Sequence, residues 1–306
     1  LAEEHLPGAA ALVGLVVATN LGITVGYHRM WTHRAFEAPG PVRVVLAILG
    51  AMHLSRSILT WATHHREHHT HVDTDRDPYN IHRGFFFAHV GWLLVRGPTH
   101  GEIRGVADLK KDPVAVWQHR WFDWISHGFN ILVPLAIGLA TGHVVGMLAV
   151  GLFLRVFVAH HLEFLVNSAA HTFGTQPWSS ASTARDSTLV ALLTGGEGYH
   201  NGHHTFMHDY RNGVLWWHLD LSKWVIWFAS RVGLARNLRR APMEKLVEMR
   251  NARRRAKRTQ RGPHSSQPAF AAPASSEARS TSSRASGLRP VATTRAPTSS
   301  SDSLQA

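Results

Sequence analysis

Three histidines in one short stretch are the residues of this chain best suited to carry out chemistry. His65, His68 and His69 are three and four residues apart, so on a helix their imidazoles share one face. A neutral imidazole is the commonest side-chain metal ligand. Without a metal, three such rings on one face would crowd polar nitrogens together. The stretch therefore predicts a helix that presents several ligands to a metal.

The same spacing recurs late in the chain. His200, His203 and His204 repeat it directly after a glycine-rich run that begins at Gly195. Glycine lets the backbone approach another segment closely, because no side chain intervenes. The repeat predicts a second set of ligands from a different part of the fold.

A pair of histidines follows the first apolar run. His28 and His33 are five residues apart, so on one continuous helix they diverge by about 140° and could each face a different metal. Arg29 and Arg34 flank the pair, and basic residues at the end of a span mark the cytoplasmic edge of a membrane. The pair is therefore expected at the inner membrane boundary.

One more histidine ends the last apolar segment. His160, Asn167 and His171 lie on one helix face, and polar groups at the end of a span indicate a site. With the two HxxHH motifs and the HxxxxH pair, His171 brings the candidate nitrogens to nine. This number is too large for one metal and suits two sites of four or five ligands.

The chain has no cysteine, which removes thiolate metal sites, iron–sulfur clusters and a cysteine nucleophile. Nitrogen ligands suit iron, copper or zinc. Catalytic zinc acts through a bound water on a polarised carbonyl or phosphoryl group, which an alkyl chain lacks. Iron with O2 can take hydrogen from an unactivated C–H bond, so oxidation of a lipid is the stronger hypothesis.

The apolar runs place these histidines at a membrane. Residues 6–25 carry no charge and are long enough to cross a hydrocarbon core of roughly 30 Å. Residues 42–59, which basic residues interrupt, predict a buried or interfacial helix. Two further spans, at about 124–139 and 144–166, predict a hairpin with a very short turn between them. The expected fold class is an all-α, integral membrane helical bundle.

The formal net charge of +12 does not indicate nucleic-acid binding, because it is concentrated in the tail. Residues 236–306 contain fifteen Lys or Arg and four Asp or Glu. A basic segment after an apolar body is more simply one that lies in the cytoplasm near anionic headgroups. From residue 262 the composition of Ser, Pro, Ala and Thr predicts disorder. We expect a membrane domain at 1–240 and a tail, first basic and then disordered, at 241–306.

Two acidic features accompany the histidines. The loop at 72–79 lacks the glycine and the terminal Glu of a calcium loop, so we expect it to be structural. Glu163 lies in the last apolar segment, where it could pair with an Arg, reach to the membrane edge or carry a proton.

Several stretches resemble the membrane fatty acyl-CoA desaturases of the stearoyl-CoA delta-9 type, and more closely their bacterial relatives. They are GITVGYHRMWTHR, HREHH, RGFFFAHVGWLLVR, NSAAHTFG and GEGYHNGHHTF, which span about residues 22–240. The resemblance implies a bundle of four spans capped by a cytosolic helical domain. The family has a span before the one that ends at His28, and the start at Leu1 fits a sequence that lacks it.

The resemblance also implies a non-haem di-iron centre. The nine ligands carried over to this sequence are His28, His33, His65, His68, His69, His171, His200, His203 and His204. Asn167 is expected to reach one iron through a water. The family inserts a cis double bond, here expected at delta-9, into a saturated long-chain acyl thioester. It uses O2 and two electrons from cytochrome b5, or from a ferredoxin-type donor with its reductase.

Substrate residues and location follow from the same resemblance. The expected lining of the acyl tunnel is Val16, Asn20, Trp92 and Phe164, and the expected headgroup residue is Arg96. The small Val16 predicts a deep tunnel. Thr63, His64 and Gly97 depart from the family pattern near the headgroup, so acyl-CoA, acyl-carrier protein and a phospholipid stay open as acyl carriers. We expect the catalytic domain on the cytoplasmic side of a bacterial inner membrane.

Three functions stay open from the residues. One is an acyl desaturase, and the second is a di-iron hydroxylase or ketolase acting on a lipid or carotenoid. The third is a non-catalytic membrane protein that stores or senses metal. Products separate the first two, because the ligand set does not decide whether a second hydrogen is lost or a hydroxyl is transferred. Metal content without O2-dependent turnover would indicate the third.

Overall fold

The structure, a computed structural model, describes residues 2–95 and 101–260 of the 306-residue chain. Within these ranges the chain is helical, with isolated β-bridges and no strand, which confirms the all-α prediction. The α-helices are α1 (Ala2–Leu21), α2 (Gly40–Met52), α3 (Ile58–His71), α4 (Phe85–His89), α5 (Pro113–Arg120), α6 (Phe122–Thr141), α7 (Val144–Ala149), α8 (Arg155–Thr172), α9 (Thr188–Leu193), α10 (His200–Thr205), α11 (Leu221–Arg231) and α12 (Met243–Gln260).

Three helical segments in the described ranges are long and apolar enough to cross a membrane. They are Gly8–Thr32, Phe122–Thr141 and Val144–Thr172. These segments correspond to the spans that the sequence predicted.

The first span packs tightly against α2. α1 continues without a break into a π-helix, Gly22–Thr32, whose residues are all buried. A Cβ on Gly22 would collide with the backbone of α2 at Gly50, and a Cβ on Gly50 would overlap the ring of Tyr27. The two glycines therefore allow the close approach that fixes the histidine-bearing end of the span.

The second and third spans form the predicted hairpin. α6 ends at Thr141 and is followed by Gly142, whose φ of +74° is the left-handed conformation that commonly ends a helix. α7 starts at Val144. α7 runs through a π-helical turn, Val150–Leu154, into α8. A Cβ on Gly151 would overlap the ring of Pro134, so this glycine lets the two spans meet.

The apolar run at 42–59 is not one helix. α2 packs on the first span and ends at Met52. Leu54 and Arg56 then adopt left-handed backbone conformations, with φ of +66° and +77°. The Ser57 hydroxyl caps α3 by accepting a hydrogen bond from the backbone N–H of Thr60. The prediction of one buried or interfacial helix is right for α2 and wrong for the residues after it, because this loop interrupts the helix.

The remaining helices form a cap at the histidine-bearing ends of the spans. One core cluster joins the π-helix to α3, α5 and α11. In a second cluster, Leu246 of α12 packs with Trp178, Phe206 and Val214. The basic segment after residue 240 is therefore helical and packed at its start. Residues 261–306, which contain most of the predicted tail, lie outside the described residues.

Candidate metal centre

The nine predicted histidines come together in two groups. The first group is His28, His33, His65, His69 and His203. The second group is His68, His171, His200 and His204. Within each group the ligand atoms all lie within 4.8 Å of one another. The π-helix, α3, α8 and α10 therefore deliver ligands to two adjacent points.

The nitrogens of the first group face one another at short range. The Nε2 atom of His65 lies 2.9 Å from Nε2 of His33 and 3.1 Å from Nε2 of His69. The Nε2 atom of His203 lies 3.0 Å from Nε2 of His28 and 2.9 Å from Nε2 of His69. The five rings thus direct the same nitrogen to a common centre.

The second group is arranged in the same way. The Nε2 atom of His204 lies 3.2 Å from Nε2 of His68 and 3.0 Å from Nε2 of His200. The Nε2 atom of His171 is buried and has no hydrogen-bond partner within the described part of the chain. A buried nitrogen without a partner is costly, so it marks a place where a ligand belongs.

Protonation cannot account for these contacts. Burial lowers the pKa of the ligands outside the spans far below the ordinary histidine value, and the neighbouring imidazoles lower it further. These ligands are His65, His69, His200, His203 and His204. At pH 7 they are neutral, so each has one N–H and one lone pair. Several converging lone pairs repel one another unless a cation lies between them.

The donor set fits a pair of metal ions. Two nitrogens bound to one ion at about 2.1 Å and at right angles are about 3.0 Å apart, which is the spacing seen in both groups. Imidazole without thiolate suits iron, copper or zinc. The site is thus a candidate di-metal centre with five nitrogens at one position and four at the other.

Each HxxHH helix contributes to both groups. On α3, His65 and His69 are one turn apart and join the first group, whereas His68 lies about 100° from His69 and joins the second. On α10, His200 and His204 join the second group and His203 joins the first. Each helix therefore gives its two outer histidines to one group and its middle histidine to the other.

The expectation that His28 and His33 could serve different metals is wrong. Both lie in the first group. The segment is a π-helix, and the backbone N–H of His33 donates to the carbonyl of His28 at 3.0 Å. A hydrogen bond between residues five apart places the two rings on the same side, whereas an α-helix would turn them apart.

Carboxylates outside the ligand groups hold the rings of His68 and His28, and that of His68 is held by Asp77. The Nδ1 atom of His68 lies 2.8 Å from Asp77, which is buried. Burial opposes ionisation of Asp77, but the neighbouring His68 and the backbone N–H groups of Tyr79 and Asp73 keep its pKa below the ordinary value. The imidazole must therefore donate from Nδ1, which leaves the Nε2 lone pair for a metal. The acidic loop, expected to be only structural, thus orients a candidate ligand.

His171 is held through an intermediate hydroxyl. Its Nδ1 lies 2.7 Å from Oγ1 of Thr183, which donates to Asp73 at 2.6 Å. Asp73 also accepts from the backbone N–H of Thr183 at 2.7 Å. The loop after α3 therefore fixes two ligands of the second group.

His28 is held by a buried ion-pair network. Its Nδ1 donates to Glu197 at 2.8 Å. Arg29, only 1% exposed, donates to Glu197 at 2.9 Å and to Asp220 at 3.0 Å. Burial opposes ionisation of Glu197, but the neighbouring His28 and the guanidinium of Arg29 bring its pKa to about 2. Arg29 is therefore buried in the cap as the partner of two carboxylates.

An inner and an outer pocket adjoin each other beside the ligand groups. The inner pocket, of about 50 Å³, is lined by His28, His65 and His200 together with apolar residues of the spans such as Ile23 and Val166. The outer pocket, of about 180 Å³, includes Trp92 and Phe164. The walls that both pockets share are Trp61, Tyr79, Glu163 and Asn167. An extended chain that entered the outer pocket would therefore pass Asn167 on its way to the metal ligands.

The predicted tunnel residues are placed unequally. Asn20 lines the inner pocket, and Trp92 and Phe164 line the outer one. Val16 is buried but does not line either pocket, because it is one helical turn beyond Asn20. Arg96 lies outside the described residues.

Glu163 holds the wall between the two pockets. It accepts hydrogen bonds from the indole N–H of Trp61 at 2.9 Å and from the hydroxyl of Ser55 at 2.5 Å. The Trp61 ring in turn stacks on the ring of His65 at 4.7 Å. One role that the sequence left open for Glu163 was pairing with an Arg. Glu163 has no Arg partner within the described residues. Its contacts connect the last span to a candidate metal ligand.

Sequence reasoning missed the residues that orient the ligands, namely Glu197, Asp77, Thr183 and Trp61. A signal was present for two of them. Asp77 follows the first HxxHH motif within nine residues, and Glu197 precedes the second by three. Carboxylates commonly orient metal-bound histidines, so acids close to a histidine motif are candidates. Thr183 gave no such signal.

The helical fold and the two histidine groups define a class of protein, namely a helical membrane-type chain with a site suited to two metal ions. The Fatty acid desaturase family model matches residues 6–235. The chain therefore belongs to the fatty acid desaturase family, as the sequence resemblance implied.

Individual relatives carry the same name. A probable acyl-CoA desaturase of Schizosaccharomyces pombe is 43% identical over 226 residues, which are 73% of this chain and 47% of the relative. Acyl-CoA desaturase 1 of Tachysurus fulvidraco is 37% identical over 275 residues, 85% of this chain and 80% of the relative. An sn-1 stearoyl-lipid 9-desaturase of Anabaena variabilis is 35% identical over 234 residues, 76% of this chain and 83% of the relative. The chain spans about half the length of the Schizosaccharomyces pombe relative and of acyl-CoA desaturase 1 of Saccharomyces cerevisiae, which is 38% identical.

Proposed function

We propose that the protein is an O2-dependent fatty acyl desaturase. It introduces a cis double bond, at delta-9, into a saturated long-chain acyl thioester at a non-haem di-iron centre. The inner pocket carries this proposal, because its lining combines imidazoles of both ligand groups with apolar side chains of the spans. A methylene chain in that pocket has its C–H bonds beside both metal positions.

The reaction determines which partners are needed. Conversion of –CH2–CH2– to –CH=CH– with O2 consumes two electrons and two protons and gives two waters. We propose a one-electron carrier, cytochrome b5 or a ferredoxin with its reductase, as the electron source. A bound iron pair would supply the oxidising chemistry that an unactivated C–H bond requires. The remaining tasks belong to the side chains around the site.

These side chains orient ligands and exclude water. Glu197 and Asp77 hold the Nδ1 protons of His28 and His68, so that the Nε2 lone pairs face the metal positions. Trp61 covers His65 on the pocket side. Asn167 lines both pockets, and we propose that its amide holds a water at the second ligand group.

Acyl-CoA is the proposed carrier, and the membrane is the proposed location. Relatives in yeast and fish are named for acyl-CoA, whereas the Anabaena relative is named for a stearoyl-lipid. We propose that the site lies on the cytoplasmic side of a bacterial inner membrane, where soluble acyl thioesters and electron carriers reach it.

The test is expression in a host followed by fatty acid profiling with gas chromatography and mass spectrometry. We expect new monounsaturated chains that disappear in a His200→Ala variant. The matched control is His82→Ala, because His82 is exposed and outside both ligand groups. Metal analysis of the purified chain should find two irons, and fewer in His200→Ala.

Other outcomes would overturn the proposal in distinct ways. Hydroxylated or keto products would show that oxygen is transferred to the chain, and the protein would then be a hydroxylase or ketolase. Two bound metals without O2-dependent turnover would show a metal-storing or metal-sensing protein. If unsaturated chains appear on phospholipid before they appear in the thioester pool, phospholipid would replace acyl-CoA as the proposed carrier.

A further inference from the structure

The outward face of α11 is apolar. Trp224, Trp227 and Phe228 point away from the protein, and Phe228 is 63% exposed. The inward face includes the polar Ser222 and Lys223 as well as Ile226, and all three are buried. A helix on a water-exposed surface normally shows the opposite arrangement, with its polar side outward. The face of α11 therefore needs an apolar environment.

α11 is attached to the side of the first span. The hydroxyl of Ser222 lies 2.7 Å from that of Thr24. Thr24 is eight residues before Thr32, the end of the span. The start of α11 therefore lies beside the span and not beyond its end.

Neighbouring segments extend the same face. α9 packs against α8, the third span, and the backbone N–H of Ser222 donates to the carbonyl of Gly195, just after α9. The loop before α11 adds two tryptophans, of which Trp216 is 83% exposed. Together these residues form a surface that we name the apolar band. Its members are Leu189, Leu192, Leu193, Trp216, Trp217, Leu221, Trp224, Trp227 and Phe228.

A basic helix borders the apolar band. α12 contains seven Lys or Arg and two Glu, and it lies beyond residue 235, where the family match ends. Leu246 and Met249 attach α12 to Val214 and Leu215, directly before the two tryptophans of the band. Most of the positive charge follows these contacts, from Arg250 onward. α12 therefore places its charge at the edge of the band.

The positive charge of Arg250 of α12 acts on His218, which follows the tryptophan pair of the band. Burial, together with the positive charges of Lys223 and Arg250, lowers the pKa of His218 to about 4. The Trp217 and His218 rings have centroids 6.0 Å apart. The tryptophans and the arginines therefore belong to one continuous surface.

We propose that the apolar band and α12 together form a membrane-anchoring surface that lies in the leaflet at the histidine-bearing ends of the spans. Tryptophan and other aromatic side chains are enriched where hydrocarbon meets headgroups, and arginines beside them bind anionic lipid phosphates. The occupant is the bilayer, because the band is continuous with two spans. A protein partner would have to displace the lipid that surrounds those spans.

This surface would hold the cap against the membrane independently of catalysis. The spans fix the cap at one side through the π-helix, and the band would fix it at another through α11. Anionic lipid would then draw α12 to the headgroups. The inference concerns lipid contact alone, so its failure would leave the proposed desaturase activity untouched.

The absence of cysteine allows a direct test with single-cysteine variants of the full chain. Nitroxide labels at Trp217→Cys and Phe228→Cys are compared with one at Asp75→Cys, an exposed position in the loop after α3. The chain is placed in nanodiscs, and collisions with O2 and with a water-soluble nickel chelate are measured by EPR. We expect positions 217 and 228 to show several-fold higher O2 and lower nickel accessibility than position 75.

The charge of α12 is tested in the same discs. A label at Val247→Cys, an exposed position of α12, is measured in phosphatidylcholine alone and in equal parts of phosphatidylcholine and phosphatidylglycerol. We expect nickel accessibility to fall several-fold in the anionic discs. Replacing Arg250, Arg253 and Arg254 by Glu should remove this dependence on lipid charge. Size-exclusion profiles that match the parent chain show that the variants are folded.

Each other result would overturn the proposal. Equal nickel accessibility at positions 217, 228 and 75 would show that the band faces water. Low accessibility to both O2 and nickel would show that a protein, for example a second copy of the chain, covers the band. An α12 label that does not respond to lipid charge would remove α12 from the surface.

Discussion

Replacing Glu197 by Gln would measure how strongly the buried ion pair supports the metal centre. Glu197 accepts hydrogen bonds from Arg29 at 2.9 Å, from His28 at 2.8 Å and from Asn212 at 2.7 Å. Gln keeps one acceptor oxygen but turns an NH2 group toward a donor. Arg29 would then retain only Asp220 as a charged partner.

Two estimates give the size of the effect. The change in the Glu197 pKa from 4.5 to about 2 corresponds to roughly 3 kcal/mol in favour of the charged form. Breaking a buried ion pair costs about 3–5 kcal/mol. Because Arg29 keeps Asp220, we expect the free energy of unfolding to fall by about 3 kcal/mol. Loss of an outer partner should also weaken metal binding at the first ligand group by about 10–100-fold.

The pH of the measurement follows from the sign of the shift. The lowered pKa means that Glu197 stabilises the fold fully above pH 4.5, and this contribution is lost as the pH falls through about 2. Unfolding is therefore followed at pH 7 by tryptophan fluorescence, and metal affinity by competition with a chelator. Glu37→Gln is the control, because Glu37 forms an exposed ion pair with Arg236 that is worth about 0–1 kcal/mol. Equal unfolding energies and equal metal affinities for the two variants would refute the reasoning.

Three further predictions address the second ligand group, the pocket and the cap. Asp77→Asn should lower metal affinity at the His68 site by about 10–100-fold in chelator competition, and the exposed Asp75→Asn should not. Asn20→Trp should narrow the inner pocket and shift products to shorter chains, and an unchanged profile by gas chromatography would contradict the pocket assignment. His218 has a lowered pKa of about 4, so wild-type stability should fall between pH 6.5 and 4, where the unfolded chain binds a proton and the folded chain does not. His218→Phe should make the thermal midpoint less dependent on pH in that window, and parallel curves would show that this histidine contributes nothing.

Histidine spacing was sufficient to predict which rings come together, but not how they are divided. The two HxxHH motifs, the HxxxxH pair and His171 supplied all nine members of the two groups. Spacing alone placed His65, His68 and His69 on one face, although the 100° between neighbours sends His68 to the other group. The division depends on how α3 and α10 face each other, which is a long-range property.

The sequence also did not predict the type of helix formed by residues 22–32. Nothing in residues 22–32 distinguishes a π-helix from an α-helix, yet the π-helix decides that His28 and His33 serve the same group. One structural feature accompanies the π-helix: Gly22 and Gly26 allow this segment to pack closely against α2. The sequence likewise placed Arg29 at the end of a span but did not predict its buried partners Glu197 and Asp220, which are 168 and 191 residues away.

The spans were predictable because their signal is local. Length and apolar composition are enough to identify a segment that can cross a membrane, and Gly142 marks the turn between two of them. The pocket residues were predictable only in part. Asn20 reaches the inner pocket and Val16 does not, because the pocket ends one helical turn earlier than the family resemblance implied.

Because α3 and α10 each supply ligands to both groups, the two metal positions are expected to be filled together. Each helix ties down both positions, so an ion that leaves one position frees a helix on which the other depends. Metal loading is then expected to be cooperative, and a sample with half its metal would be a mixture of filled and empty molecules. Intermediate metal contents would describe the population and not a half-assembled centre.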